Sequence, residues 1–242
     1  MEHIDKVAGT FGKRGESGEL LRSSVSPAVI RRLPRYHRYL GELLRNNRLR
    51  ISSSELSKMM KVTASQIRQD LNCFGGFGQQ GYGYNVKYLY GKISDLLGVS
   101  SGLCAIVVGA GNLGRALVSS HMFERRGVTR LAMFDVDSSL IGREISGLPV
   151  HSVDHLESYC EQNKPDIAVL TTPKEAAYEV SVRLAKAGIR GIWNFSNMEL
   201  RLEDYPEVII QNIHLGDSLM TLCYEIVSSG EPLADEDGNE RA

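Results

Sequence analysis

Apolar side chains in the first third of the chain fall at helical intervals: Ala28 to Leu33, then Tyr36, Tyr39, Leu40, Leu43 and Leu44. Pro27 opens this run, Pro34 predicts a break near its start, and Asn46 and Asn47 end it. Ser52-x-x-Glu55 then reads as a capping box ahead of Leu56, Met59 and Met60, which predicts a short second helix. Thr63-x-x-Gln66 repeats the device ahead of Ile67 and Leu71, with only Lys61 and Val62 between the two helices. Two short helices joined by so tight a turn behind a longer one predict a helix-turn-helix. From Phe74 to Tyr84 glycines alternate with aromatics, as in a tight hairpin, and Val86, Tyr88 and Leu89 are read as the returning strand. The expected unit is a winged helix over 27–98, closed by a short helix at Ile93, Leu96 and Leu97.

The pattern changes at Leu103. Continuous apolar segments now alternate with helical ones: strand 103–108, helix 112–126, strand 130–134, a short strand near 148–151, helix 154–163, strand 167–171, helix 174–187, strand 190–194 and a strand around Val208. Strands that are apolar throughout and interleaved with helices predict a parallel sheet covered on both faces, and hence an α/β domain over 99–212. Leu215, Leu219, Leu222, Cys223, Ile226 and Val227 form a broad stripe on one last helix, within 213–229, whose face must be covered by something. Residues 1–26 and 230–242 lack periodicity and are expected to be flexible.

Charge divides the chain the same way. From Arg31 to Lys92 there are twelve Lys and Arg against three acids, a net +9, so a chain of net charge −1 carries −10 elsewhere. A basic block attached to an acidic remainder suggests that only the first part meets a polyanion. The base-edge candidates on the third helix are Gln66, Arg68 and Gln69. Arg32, Ser53, Lys58, Lys61, Thr63 and Ser65 are expected to hold phosphate, and the wing adds Gly81, Tyr82, Gly83 and Tyr84. Four scattered cysteines with no C-x-x-C pair indicate neither a metal site nor a disulfide framework. The longest apolar run, Leu103 to Val108, is too short to cross a bilayer, and the first residues lack a signal peptide's apolar core; a cytoplasmic location is expected.

The strongest motif is VVGAGNLGRAL. Gly109, Gly111 and Gly114 follow an apolar strand and open a helix, the context in which G-x-G-x-x-G holds a pyrophosphate on free helix amides. Ala110, Asn112 and Leu113 complete the loop. Asp135, twenty-one residues past Gly114 and at the end of the next strand, is placed to accept ribose hydroxyls and to repel a 2′-phosphate, which favours NAD(H) over NADP(H). Val136, Thr171, Thr172, Pro173 and Asn194, at the carboxyl ends of strands, are further candidate walls.

Whether such a nucleotide is consumed or read depends on what else is present. A dehydrogenase needs a substrate site and an acid or base beside the nicotinamide, and about thirty residues after the nucleotide domain do not make a substrate domain. No Ser/His/Asp order, paired carboxylates or metal cluster is evident; His121 and His214 are the histidines that could reach the pocket. The reading is therefore a regulator without catalytic activity. Two alternatives stand beside it: an NAD-dependent oxidoreductase with an appended DNA-binding domain, and a winged-helix regulator whose nucleotide fold serves only to dimerise.

The run ISSSELSKMMKVTASQIRQDLNCFGGFGQQGYGYNV, followed in order by VVGAGNLGRAL, FDVD, TTPKEAA and GIWNF, resembles the Rex family of redox-sensing transcriptional repressors, from about Ile30 to Ile226. The resemblance implies a homodimer whose winged helices bind double-stranded DNA with an AT-rich inverted repeat. It implies a Rossmann core that binds NADH and NAD⁺ competitively, and a last helix that is domain-swapped into the partner subunit. NADH would close the dimer and release the operator. Against the family pattern, Gln69 replaces a common Lys, Ser120 stands where a Tyr near the nicotinamide is usual, and His214 stands where an Asp begins the exchanged helix, while Arg38 is retained. Redox sensing with different wiring, through His121 or His214, is the expectation that follows.

Overall fold

In the computed structural model, which describes residues 25–72, 78–79 and 83–229, Ser26 caps the first helix, α1 (Pro27–Arg45), its hydroxyl accepting from Val29 N. Val29, Leu33, Tyr36, Leu40 and Leu43 form its buried face, and Val25, expected in the flexible extension, packs into the same core. The helix runs through Pro34 without the expected break. A proline there removes one amide from the ladder, and the buried apolar face on both sides of it outweighs that loss. The rest of residues 1–26, and residues 230–242, lie outside the described residues.

Strand β1 (Arg50–Ile51) follows, then α2 (Ser53–Met60) and α3 (Ala64–Asn72). Both halves of the first capping box are formed: Glu55 N donates to Ser52 Oγ at 3.1 Å, and Ser52 N donates to Glu55 Oε2 at 2.9 Å. The second is half formed. Gln66 N donates to Thr63 Oγ1 at 3.1 Å, but the Gln66 side chain is bonded to Asp70. Strands β2 (Gly78–Gln79) and β3 (Gly83–Asn85) make a small antiparallel sheet in the order β1-β3-β2. The expected returning strand at Val86 to Leu89 is instead the start of α4 (Val86–Leu96), which absorbs the short helix expected at 93–97. Asn85 ends the sheet because its Oδ1 accepts from Tyr88 N at 2.9 Å, a helix cap, and Val86, Leu89 and Ile93 then fall on one buried face. The four helices, β1 and β3 share one apolar core.

The second unit begins at Gly102. Its elements are β4 (Leu103–Val108), α5 (Asn112–Ser119), β5 (Val128–Asp135), β6 (Glu144–Ile145), β7 (Leu148–Ser152), α6 (Leu156–Asn163), β8 (Ile167–Leu170), α7 (Lys174–Lys186), β9 (Gly191–Asn194), β10 (Ile209–Asn212) and α8 (Leu215–Ser228). The sheet order is β10-β9-β8-β4-β5-β7-β6, parallel throughout except for the small β6 hairpin on β7. Without β6 this is the doubly wound order 3-2-1-4-5-6 of dinucleotide-binding folds. Alternate residues explain the unbroken apolar strands: Ile106, Val108, Phe134 and Leu170 join one core, and Ala105, Val107, Met133 and Val169 the other.

One expected helix is shorter than its pattern. α5 stops at Ser119, because the Ser120 hydroxyl bonds Leu117 O at 2.7 Å and its backbone turns extended, and a 3-10 turn at Glu124–Arg126 completes the segment. That turn is tied to β5 by ion pairing of Glu124 with Arg130.

Candidate dinucleotide site and nucleic-acid surface

In a doubly wound sheet the ligand crevice lies where the strand order reverses, outside the carboxyl ends of β4 and β8. The structure brings the motif there. Gly109, at φ +106°, sits so close to β8 that an added Cβ would lie 2.7 Å from Thr171 Oγ1, and a Cβ on Gly114 would collide with the Gly109 carbonyl oxygen. The Thr171 hydroxyl locks the two strand ends together through Val108 O at 3.1 Å and Gly109 O at 2.9 Å. At Gly111, by contrast, an added Cβ meets nothing within 4 Å, so this is the open side of the loop.

Two observations test whether these residues fit a dinucleotide. Gly111 is the N-cap of α5 and supplies no side-chain cap, so the first amides of the helix, from Asn112 and Leu113 onward, are left to an external acceptor. Thr172 Oγ1 is buried and without a hydrogen-bond partner among the described residues, next to the Thr171 lock. Free amides in an open glycine cradle and an orphaned hydroxyl at the switch point suit an anionic phosphate ligand. Asp135 ends β5; its Oδ2 accepts from Ala110 N at 2.5 Å and its Oδ1 from Asp137 N at 2.9 Å. Each oxygen keeps further lone pairs for a ribose hydroxyl. Val136 follows it, well exposed, and Pro173 is the N-cap of α7 without a side-chain cap.

Asn194 has a different setting from the other candidate walls. It is buried, Nδ2 donating to Met198 O and Asn212 Oδ1 at 2.9 and 2.8 Å, while Oδ1 accepts from Ser196 N and Oγ at 3.0 and 2.6 Å. Its amide ties the end of β9 to Met198 in the following loop and to Asn212 at the end of β10. Ser120 caps α5, and His214, the N-cap of α8, lies 3.8 Å from the Glu199 carboxylate.

In the first unit α3 occupies the recognition position of a helix-turn-helix. Ser65, Arg68 and Gln69 are exposed on it, with Thr63 at its head, Lys58 exposed on α2, and Lys61 in the left-handed turn between the helices. Arg68 Nη1 reaches Ser53 Oγ at 3.3 Å, linking the two helices. Two side chains and one glycine depart from expectation. Arg32, assigned to phosphate, donates from Nε and Nη2 to the two Asp70 carboxylate oxygens at 2.7 Å each. Tyr84, assigned to the wing's binding face, is buried in the core, because strand alternation turns it inward opposite Ile51. Gly83, at φ +69°, is needed where β3 approaches β1, since a Cβ there would meet Ile51 O at 2.7 Å. Gly81 and Tyr82 lie outside the described residues.

Pattern reading missed Asp70 altogether. It is fully buried and takes four hydrogen bonds, from both Arg32 nitrogens, from Tyr36 Oη at 2.9 Å and from Gln66 Nε2 at 2.8 Å. The available signal was an acid one helical turn after Gln66 in a stretch that is otherwise basic. Part of the basic excess is also structural: Arg35 donates to Met60 O at 2.6 Å and Arg48 pairs with Glu55 at 2.8 Å. Among the described residues no group of three or more potential metal ligands occurs, and no helix is long and apolar enough to cross a membrane.

Comparison with known proteins agrees with both units. Residues 24–72 match the family model described as putative DNA-binding protein N-terminus, and residues 103–198 match the CoA binding domain model. The redox-sensing transcriptional repressor Rex of Thermoanaerobacter pseudethanolicus is 50% identical over 205 residues, 85% of this chain and 91% of that protein. A crystal structure of RSP in complex with NAD⁺ and operator DNA aligns with a TM-score of 0.79 at 50% identity, covering 85% of this chain and 94% of that one. RSP in complex with NADH aligns at 0.77 and 46% identity, covering 85% and 95%. A nucleotide cradle behind a helix-turn-helix, and identity of this depth along most of the chain, place the protein in the Rex family of redox-sensing transcriptional repressors.

Proposed function

We propose that the protein is a homodimeric repressor that binds an AT-rich inverted repeat in double-stranded DNA and is released from it by NADH, with NAD⁺ competing for the same cradle. The observation that carries this is the open glycine cradle at the switch point in a chain whose other unit is a helix-turn-helix. Gly109 to Gly114 hold the pyrophosphate, Asp135 accepts from the adenosine ribose, and the loop at Thr171, Thr172 and Pro173 forms the facing wall. The bound cofactor supplies a nicotinamide whose charge differs by one between its two redox states, and the chain reads that difference without transferring a hydride. The alternative of an oxidoreductase finds no support among relatives that are repressors along 85% of this chain. The cytoplasm, where DNA and NADH meet in a bacterial cell, is the site of action.

The test is operator binding followed by fluorescence anisotropy on an inverted-repeat duplex. NADH is expected to release the protein, NAD⁺ to oppose NADH, and NADPH to act only at much higher concentration because Asp135 repels its 2′-phosphate. Indifference to all three nucleotides would overturn the reading.

Dimerisation is assigned to α8. No residue of it is buried, and Leu215, Leu219, Met220, Leu222, Tyr224, Ile226 and Val227 are all exposed, Met220 at 66% and Tyr224 at 74%. A helix apolar on so much of its surface is a core element awaiting a partner. Covering seven such side chains at about 1.5 to 3 kcal/mol each gives a gross gain on the order of 10–20 kcal/mol. Association costs about 4–15 kcal/mol, so the helix suffices for a dimer if a second copy encloses it. Leu219→Asp combined with Tyr224→Asp is expected to yield a monomer in light scattering, with affinity for the inverted repeat reduced by about a hundredfold or more as half-sites are bound singly. A double variant that remains dimeric would remove α8 from the interface.

A further inference from the structure

The Gln66 side chain is held by a buried charge on the helix placed to read DNA. Asp70, one helical turn later on α3, accepts from Gln66 Nε2 at 2.8 Å while Arg32 and Tyr36 fill the rest of its carboxylate. Burial alone would raise the carboxyl pKa, but the bonds from Arg32, Gln66 and Tyr36 outweigh it and hold the group below the ordinary carboxylate range. Asp70 is therefore ionised and can only accept, so the Gln66 amide must present its nitrogen to it and cannot rotate by half a turn. Oε1 has no partner among the described residues, and one amide hydrogen remains.

An acceptor beside a donor is the edge that matches adenine in the major groove, where N6–H donates and N7 accepts. Guanine offers two acceptors there, cytosine a donor, and thymine an acceptor and a methyl. Gln66 lies in the first turn of α3, the part of a recognition helix that meets base edges. We propose that Gln66, oriented by Asp70, is the specificity residue for one adenine in each half-site. This rests on the reading of the protein as an operator-binding repressor with α3 in the groove. Asp70 is a positioning residue, fixing the amide of Gln66 ahead of binding and so lowering the ordering cost of the contact.

The test is selection from a pool of duplexes carrying a randomised inverted repeat, with the full-length wild type, Gln66→Met and Asp70→Asn. The wild type is expected to select adenine at one symmetric pair of positions. Gln66→Met, which keeps the length of the side chain and a good helix former, is expected to lose preference at that pair by roughly tenfold to a hundredfold and nowhere else. Asp70→Asn lets the amide flip and should relax the same pair in part. As a check on N7, 7-deazaadenine at the selected position should weaken the wild type about tenfold and leave Gln66→Met unaffected. The assignment is overturned if Gln66→Met keeps the wild-type profile, weakens all sequences equally, or changes a position where another base is selected. A wild type that selects no sequence, or is not released by NADH, instead overturns the functional reading beneath it.

Discussion

Gly114→Ala is expected to leave a protein that still binds its operator but needs far more NADH to let go of it. The new Cβ would strike the Gly109 carbonyl oxygen and sit 3.0 Å from Thr171 Oγ1. Neither can yield cheaply: the first is backbone at a positive-φ glycine, and the second is bonded to Val108 O and Gly109 O. Relief must come from moving the start of α5 away from β4, which carries the amides of Asn112 and Leu113 out of the cradle. Overpacking of this kind costs about 1–3 kcal/mol, a loss that falls on the nucleotide site while the winged-helix unit keeps its own core. NADH binding, measured by its fluorescence, should weaken at least tenfold, and the concentration that releases the operator should rise in step. A variant with the wild-type NADH response would mean that the cradle is not where the nucleotide binds.

Asp70→Ala is expected to have the largest effect on stability. It leaves the Arg32 guanidinium, the Tyr36 phenol and the Gln66 amide without the carboxylate that joins them. Breaking one side of a buried ion pair costs about 3–5 kcal/mol, a large share of the 5–15 kcal/mol that holds a domain together. Urea unfolding followed by circular dichroism should show the first unit melting well before the second. Arg32→Met combined with Asp70→Leu should recover part of the loss, since no uncompensated charge stays buried. The pH dependence has a definite sign. Asp70 lies below its ordinary pKa, and Glu55 is held at about 2 by the Ser52 backbone amide and hydroxyl, helped by Arg48. Groups depressed in the folded state stabilise it above their unfolded values, near 4, and that stabilisation fades as pH falls through the folded ones. The first unit should therefore weaken below about pH 4, and Asp70→Ala should flatten that decline.

These two sites differ in how far the sequence reveals them. The glycine cradle was legible because its residues act within one local unit: strand, tight turn and helix fix the jobs of Gly109, Gly111 and Gly114 at set spacings, and Asp135 falls one strand later. The apolar runs predicted the parallel sheet for the same reason, since burial on both faces leaves no alternation. The Asp70 clamp was not legible, because its partners Arg32 and Tyr36 lie more than thirty residues upstream on α1 and no local pattern joins them. Gln66 was misread as the second half of a capping box because a stronger acceptor one turn away took its amide. Val86 to Leu89 suited a strand by composition, and only the cap at Asn85 decides for a helix. Tyr84 was assigned to the binding face from composition, while the alternation of β3 buries it.

The short contact between the Asp135 carboxylate and the amide of Ala110 also bears on redesign of cofactor choice. Exchanging the acid at this strand end for a small or basic residue is the usual logic for admitting a 2′-phosphate. In this protein the same oxygen holds the first turn of the glycine loop against β5, so the exchange would unlatch the loop while it removed the repulsion. A version that answers to NADPH would need a second substitution that supplies a new acceptor for the Ala110 amide, and the change of nucleotide would otherwise be masked by loss of the cradle that binds either one.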